Sequence, residues 1–261
     1  MDSSFLIKIG AVAILAVSSM SVGAVQAETI ELDAVEDVAL LYTQTGLLRQ
    51  NFLNGGATAI GAALHGGAPK RGQCALLRFD LSQLPKGAVI EKAELELTPV
   101  FTYLPDVYTG NERLIVYQLA AENASWVEGT GESLRNPETD LITAPGATGA
   151  YVNMVSYSDD DNNDGVRWLS GPFIGPMDFA GDELGSFALR EAGLTEGQPI
   201  LINLRPEAIA GWLQSPDLAK AGLALRMVSD EGDEVAVSRF AIFMSREQLK
   251  PPRLVITYKL P

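Results

Sequence analysis

The chain has 261 residues, with 33 acidic against 19 basic side chains, which gives a formal net charge of −14 at pH 7. This charge argues against binding to nucleic acid or to anionic membranes, since both partners are polyanions. It suits a protein that stays soluble outside the cell, or one that collects divalent cations. The single cysteine, Cys74, excludes an intramolecular disulfide, so we expect it to lie in a strand as a small buried hydrophobe.

Residues 1–27 have the pattern of a secretion signal. Lys8 is the only basic residue before the apolar run Ile9–Val17, and the small residues that follow end in Val25-Gln26-Ala27, a variant of the usual cleavage site. The run is too short, and too interrupted by serine and glycine, to favour a membrane span, and an uncleaved anchor is the alternative. We therefore expect one mature domain, residues 28–261, that is secreted, held at the cell surface or periplasmic. It has no transmembrane segment once the signal is removed.

The first predicted strands follow the signal directly. Thr29–Thr43 predicts one or two strands, and Thr58–Leu64 predicts a short strand between glycine-rich turns. Ala75–Leu81 predicts another strand, which the turn residues Leu84–Gly87 separate from the next. From Lys92 to Leu97 apolar and charged residues alternate, which is the period of a strand with one buried face and one solvated face. We expect these last two strands to form an antiparallel pair. The residues that we expect to be buried between two sheets are Leu77, Phe79, Leu95, Leu97 and Trp126.

Two segments in the middle of the chain carry candidate sugar contacts. Phe101–Gly110 predicts a loop, and residues 132–157 predict a long irregular region, of the kind that tends to be functional or to wrap the surface of a compact domain. A loop tyrosine can stack its ring on a pyranose face and bury a large apolar area there. Packing within the loops is the alternative. The candidate residues are Tyr103, Tyr108, Tyr151 and Tyr157.

The acidic run at residues 158–165 predicts a calcium site. Its spacing from Asp160 is D-x-N-x-D-G, which matches the opening of a calcium loop of the EF-hand type. Alternating short carboxylates and amides can direct several oxygens at one hard cation, and the glycine permits the bend. The twelfth position is Gly171 instead of glutamate, so a backbone carbonyl or a distant carboxylate would complete the site. A solvated acidic loop is the alternative. The predicted Ca²⁺ ligands are Asp160, Asn162 and Asp164, with Asp159 or Asp161 supplying further charge.

The rest of the chain predicts further strands and one helix. Arg205–Ser215 is the helix candidate, because Pro206 suits a first turn and apolar residues recur from Ile209 at helical spacing. The strands are predicted at Arg113–Leu119, Val166–Trp168, Gly185–Arg190, Pro199–Leu204, Gly222–Val228, Val235–Phe243 and Arg253–Tyr258. We therefore predict an all-β, jelly-roll-like antiparallel β-sandwich with one short helix.

The sequence LLRFDLSQLPKGAVIEKAELEL, which ends at Leu97, resembles the core of the DNRLRE-domain proteins, a family of secreted bacterial β-sandwiches. Other segments fit the same pattern: ASWVEGTG at 124–131, DGVRW at 164–168, and GLALRMV with FMSREQLKPPRLVITY at 222–258. The six letters that name the family do not occur in the chain. Some relatives are carbohydrate-binding modules, including alginate binders, so the resemblance implies the sandwich fold and, less directly, carbohydrate binding.

Three classes of function follow from these features. The resemblance favours a secreted, non-catalytic protein that binds an extracellular polysaccharide or another component of the cell envelope. A structural subunit of the envelope, matrix or an appendage is the alternative, because binding modules usually accompany an enzyme or an adhesin. A secreted polysaccharide hydrolase or lyase is less favoured. His65, Cys74 and Glu128 have no catalytic partner visible in the sequence, so we expect none of them to be catalytic.

Overall fold

The computed structural model describes residues 26–43, 59–66, 71–105, 111–129, 146–148, 151–156, 164–170, 174–230 and 237–261. The strands are β1 (Glu28–Thr43), β2 (Ala59–His65), β3 (Arg71–Phe79), β4 (Val89–Leu97), β5 (Pro99–Tyr103), β6 (Arg113–Gln118), β7 (Tyr151–Ser156), β8 (Asp164–Arg167), β9 (Gly185–Ala188), β10 (Ile200–Leu204), β11 (Leu223–Val228), β12 (Arg239–Met244) and β13 (Arg253–Lys259). The helices are α1 (Leu189–Ala192), α2 (Pro206–Trp212) and α3 (Pro216–Ala221). Within these described ranges, no helix has the length and apolar character needed to cross a bilayer.

Two antiparallel sheets share strand β1. One sheet has the strand order β10-β4-β13-β1, and the other has the order β1-β3-β11-β6-β9. The first part of β1, Glu28–Asp33, pairs with β13, and the part from Ala34 onward pairs with β3. A register shift between Ala34 and Glu36 marks a β-bulge, which bends a strand and increases its twist. β1 therefore passes from one layer into the other. The fold is the all-β, jelly-roll-like antiparallel sandwich that the sequence predicts.

Strands β3 and β4 do not pair with each other, contrary to our expectation. β3 pairs with β1, β2 and β11, whereas β4 pairs with β10 and β13. The carboxylate of Asp80 accepts hydrogen bonds from the N–H and the hydroxyl of Ser82 at 2.9 Å and so caps a 3₁₀ turn. Gly87 then adopts a φ of +86°, which favours glycine. The predicted turn is present, but it connects strands that belong to different layers. The sequence does not reveal this, because turn residues do not specify which strands become neighbours.

The opposite edges of the two sheets, β9 and β10, also meet. The backbone N–H of Arg205, directly after β10, donates to the carbonyl of Leu184 at 2.9 Å. A Cβ on Gly185 would lie 2.1 Å from the carbonyl oxygen of Asn203, so only glycine permits this approach of the two backbones. The sandwich is therefore closed along one side by the shared strand β1 and along the other by this glycine contact.

Strands β2, β12 and β5 extend the second sheet. β12 pairs with β2 on one side and with β5 on the other, and β2 also pairs with β3. We predicted a loop at residues 101–110, but Phe101, Thr102 and Tyr103 belong to β5, because they pair with β12. The sequence predicts a loop there because Pro105 and Gly110 are turn residues, and β5 carries its large apolar residues on the exposed face instead of the buried one. Residues 106–110 lie outside the described part of the chain.

Two clusters of buried side chains lie on the two faces of β3. The larger cluster lies between the sheets and contains four predicted core residues, which confirms their burial. They are Leu77, Phe79, Leu95 and Leu97. Trp126 is also buried, but the prediction that it lies between the two sheets is wrong, because it belongs to the smaller cluster on the other face of β1 and β3. Cys74 lies in that smaller cluster, and burial raises the pKa of its thiol to about 12. The prediction that Cys74 is a small buried hydrophobe is confirmed.

Arg78 connects the smaller cluster to the segments around it. Its guanidinium lies 4.2 Å from the ring centroid of Trp126 and forms an ion pair with Glu36. It also donates to the carbonyl oxygens of Lys220 at 2.5 Å, of Trp126 at 2.8 Å and of Ala124 at 3.3 Å. Burial lowers the pKa of Arg78 to about 10, so the side chain stays charged at neutral pH. One side chain thus joins β1, the segment after β6 and the end of α3.

The predicted helix at residues 205–215 is confirmed as α2. Its buried side chains Ile209 and Trp212 pack into the larger cluster, and the helix contacts β4. The indole N–H of Trp212 donates to the side-chain oxygen of Gln118. Helix α3 and the single turn α1 were not predicted, because segments of six and four residues are too short to show a helical period.

Candidate functional site

The outer face of β5 and β12 carries an exposed row of apolar side chains. In the register of the two strands, Phe101 lies opposite Ile242 and Tyr103 lies opposite Phe240. Phe101 is 54% exposed and Tyr103 is 44% exposed, whereas Phe240 and Ile242 are half-buried beside them. Ala241, which lies between Phe240 and Ile242 on β12, belongs to the opposite face of the strand and is buried in the larger cluster. We name Phe101, Tyr103, Phe240 and Ile242 the β5–β12 face.

Neighbouring groups fix the positions of the side chains on the β5–β12 face. The ring centroids of Tyr103 and Phe240 are 6.2 Å apart, and the ring of His65 packs edge-on against Phe240 with centroids 5.1 Å apart. Gly61 on β2 makes room for Ile242, since a Cβ at Gly61 would lie 2.5 Å from Ile242 Cδ1. Because the side chains project from paired strands, the face is formed before any ligand arrives.

Three carboxylates from distant parts of the chain meet near the bulge of β1. Asp37 follows the bulge, Glu128 lies in the segment after β6, and Glu247 lies in the turn between β12 and β13. One oxygen of each carboxylate lies within 4.8 Å of the others. Asp37 is 1% exposed and the Glu128 side chain is 8% exposed, whereas Glu247 is exposed to solvent. We name Asp37, Glu128 and Glu247 the acidic triad.

Arg246 and the backbone hold the acidic triad together. The backbone N–H of Arg246 donates to Asp37 Oδ2 at 2.6 Å, and the backbone N–H of Asp37 donates to Glu128 Oε2 at 3.4 Å. The Nε of Arg246 donates to Glu128 Oε2 at 2.7 Å and lies 3.0 Å from a carboxylate oxygen of Glu247. The guanidinium of Arg246 therefore contacts two of the carboxylates, and its backbone N–H holds the third.

The environment shifts the pKa values of two members of the triad. Burial and the negative charges of Glu247 and Glu128 raise the pKa of Asp37 to about 7, against the lowering effect of the hydrogen bond from Arg246. Burial also raises the pKa of Glu128, again opposed by Arg246. Buried carboxylates that share a small space in this way are typical of sites that accept a proton or a cation.

A second charged cluster is neutralised internally. Glu112 is buried just before β6, and its two oxygens each lie 2.5 Å from the Nε of an arginine, Arg190 on one side and Arg239 on the other. The side chain of Asn111 donates to Asp230 at 2.8 Å beside them. A cavity of about 330 Å³ adjoins Glu112 and Arg190. Because each oxygen of Glu112 meets a guanidinium, we assign this cluster a structural role.

The predicted sugar-binding tyrosines differ in their positions. Tyr103 belongs to the exposed β5–β12 face described above. Tyr151 lies at the start of β7 and is 1% exposed, with the guanidinium of Arg167 4.6 Å from its ring centroid. A ring buried in this way offers no face to a sugar, so its position does not support the prediction that Tyr151 is a stacking residue. Tyr108 and Tyr157 lie outside the described residues.

Most of the predicted calcium loop also lies outside the described residues. This applies to Asp159, Asp160, Asp161 and Asn162. Asp164 is the first residue of β8, and its backbone pairs with Ser156 on β7. The calcium loop therefore stays a prediction.

The three residues that we considered for catalysis have different surroundings. His65 ends β2 and packs on Phe240, and Cys74 is buried. Glu128 has neighbours that the sequence does not reveal: Asp37 is 91 residues away and Arg246 is 118 residues away. Asp37 does not stand out in the sequence either, because the charged residue Glu36 lies directly beside it in β1.

Comparison with known proteins assigns no family. No protein-family model matches the chain, and no curated protein matches it either. The resemblance to the DNRLRE-domain proteins therefore stays a prediction from the residues that carry it.

Proposed function

We propose that this is a secreted, non-catalytic protein that binds an extracellular polysaccharide through the β5–β12 face. The observation that supports the proposal is the exposure of Phe101 and Tyr103, two aromatic rings on the same side of one strand. Their Cα atoms are separated by about 7 Å along the strand, which places the two rings in a row. Exposed apolar groups that are grouped in this way mark interaction sites more often than scattered ones do.

The chemistry of the β5–β12 face suits a sugar chain. A pyranose has an apolar face of C–H groups, which can lie flat on an aromatic ring and exclude water from both surfaces. Covering about 60 Å² of one ring would stabilise the complex by roughly 1.5 kcal/mol, or about tenfold in affinity. Because Phe240 packs beside Tyr103, the ring loses little freedom when a sugar stacks on it.

The charge of the protein favours a neutral glycan. The net charge of −14 opposes the approach of a polyuronate such as alginate. None of the four residues that form the β5–β12 face is charged, so the face holds no group that would select a carboxylate or a sulfate. We therefore propose a neutral polysaccharide as the ligand.

A matched pair of variants at Tyr103 tests the proposal. Affinity for neutral and acidic polysaccharides is measured by electrophoresis through glycan-containing gels and by calorimetry. We expect Tyr103→Phe to bind as the wild type does, because it keeps the ring, and Tyr103→Ala to bind about tenfold more weakly. Leu201→Ala, which truncates an exposed apolar residue on β10, is the control and should have no effect.

The same experiment separates binding from a structural role. Size-exclusion chromatography of each variant is run beside the affinity measurements. Self-association of the wild type that Tyr103→Ala abolishes, without binding to any glycan, would favour the structural subunit. Full glycan binding by a double variant Phe101→Ala and Tyr103→Ala would place the binding surface elsewhere.

A further inference from the structure

We infer that the acidic triad binds one Ca²⁺ ion, at a position separate from the predicted calcium loop at residues 158–165. Asp37, Glu128 and Glu247 each direct a carboxylate oxygen into a space in which the three oxygens lie within 4.8 Å of one another. Two oxygens on opposite sides of a Ca²⁺ ion are at most about 5 Å apart, so the three oxygens fit a single coordination shell.

A second observation, at Asp37, points to a cation. Asp37 is 1% exposed, and its Oδ2 accepts the backbone N–H of Arg246. Its other oxygen, Oδ1, is fully buried and has no hydrogen-bond partner. A buried carboxylate oxygen without a partner is costly, and a cation is the group that can satisfy it together with the two neighbouring carboxylates.

The charges of the cluster match a divalent ion. When a cation displaces any proton and all three carboxylates are ionised, the triad and the guanidinium of Arg246 together have a net charge of −2. Arg246 Nε donates to Glu128 Oε2 and lies 3.0 Å from Glu247 Oε1, so the other oxygen of each of these two carboxylates is left to bind an ion together with Asp37. A monovalent cation would leave an uncompensated negative charge in a buried position.

The donor set favours calcium among divalent cations. All three side chains offer only oxygen, which is the ligand that hard cations prefer, and no histidine or cysteine belongs to the triad. Mg²⁺ demands a nearly ideal octahedron at short distances, whereas Ca²⁺ accepts irregular shells completed by water. Since one member of the triad is exposed, water can complete the shell from that side.

The bound ion would connect three separate segments of the fold. Asp37 lies on β1, Glu128 lies in the segment after β6, and Glu247 lies in the turn before β13. An ion that binds only the folded chain stabilises it in proportion to the logarithm of its free concentration. At 100 times the dissociation constant, we expect the melting temperature to rise by about 5–10 °C.

The test uses the mature chain, freed of metal with a chelator and then titrated with CaCl₂ in calorimetry and thermal melts. Asp37→Asn keeps an acceptor for the N–H of Arg246 but removes the charge, and Glu247→Gln makes the matching change at an exposed position. We expect both variants to lose at least tenfold in calcium affinity. Asp217→Asn removes one exposed charge from α3 and should bind as the wild type does.

Asp160→Ala distinguishes this site from the calcium loop. We expect the response that Asp37→Asn and Glu247→Gln lose to persist in Asp160→Ala. If calcium raises the melting temperature of both triad variants as much as that of the wild type, the triad does not hold the ion. A wild type that ignores calcium up to several millimolar, in calorimetry as well as in melts, would also overturn the inference.

Discussion

Replacing Arg78 by methionine should destabilise the fold, because this side chain joins three segments at the smaller cluster. Methionine keeps an aliphatic chain over Trp126 but removes the charge and every donor. The hydrogen bonds to the carbonyls of Lys220, Ala124 and Trp126 are lost, together with the ion pair to Glu36.

The magnitude follows from two opposing contributions. Three hydrogen bonds from a charged group are worth at least about 1.5 kcal/mol each, and the contact of the guanidinium with Trp126 adds about 1 kcal/mol. Removing Arg78 also removes the cost of burying its charge. The fall in its pKa to about 10 corresponds to roughly 3 kcal/mol of that cost. We therefore expect a net loss of about 2–3 kcal/mol in the free energy of unfolding.

Equilibrium unfolding in urea at neutral pH measures this loss, with tryptophan fluorescence to follow the environment of Trp126. Arg78→Lys is the informative second variant, because an ammonium group keeps the charge but cannot reach three carbonyls in different directions. We expect it to lose more than half as much stability as Arg78→Met. Glu36→Gln should cost less than about 1 kcal/mol, since Glu36 is partly solvated. A loss below about 0.5 kcal/mol for Arg78→Met would refute the role that we assign to Arg78.

Three further predictions concern other parts of the molecule. The pKa of about 12 for Cys74 leaves only about one thiol in 10⁴ ionised at pH 8, so a disulfide reagent should label it only when the chain opens; rapid labelling of native protein would contradict its burial. Leu95→Ala should lower the free energy of unfolding by about 2–5 kcal/mol in urea titrations, and a loss below about 0.5 kcal/mol would place Leu95 outside the core. N-terminal sequencing of exported protein should begin at Glu28, and finding Met1 instead would show that the signal is not removed.

The sequence pattern predicts faces of strands better than it predicts their partners. The alternation around Leu95 correctly places the buried face of β4. It does not reveal that β4 lies between β10 and β13, because a local period carries no information about which strand lies beside it. At β5 the turn residues Pro105 and Gly110 predict a loop, and the large rings of Phe101 and Tyr103 lie on the exposed face of the strand.

The acidic triad could not be predicted from the sequence. In a chain with 33 acidic residues, many sets of three carboxylates have similar spacing, and none stands out. Asp37, Glu128 and Glu247 meet because a bulge in β1, the segment after β6 and a turn before β13 converge in the folded chain. The predicted calcium loop shows the opposite case, since its ligands are neighbours in the sequence and need no such convergence.

β13 lies in the middle of the first sheet, although it is synthesised after all the other strands of that sheet. β13 pairs with β1 on one side and with β4 on the other, and the hydroxyl of Tyr258 donates to Glu28 Oε2 across 230 residues of sequence. A ribosome makes β1 first, so the first sheet has a gap until β13 is made. Until then β1 and β4 both present open edges, which can pair with other chains. The first sheet therefore cannot be completed before residue 259 has been synthesised. Until then, the edges of β1 and β4 must not pair with other chains.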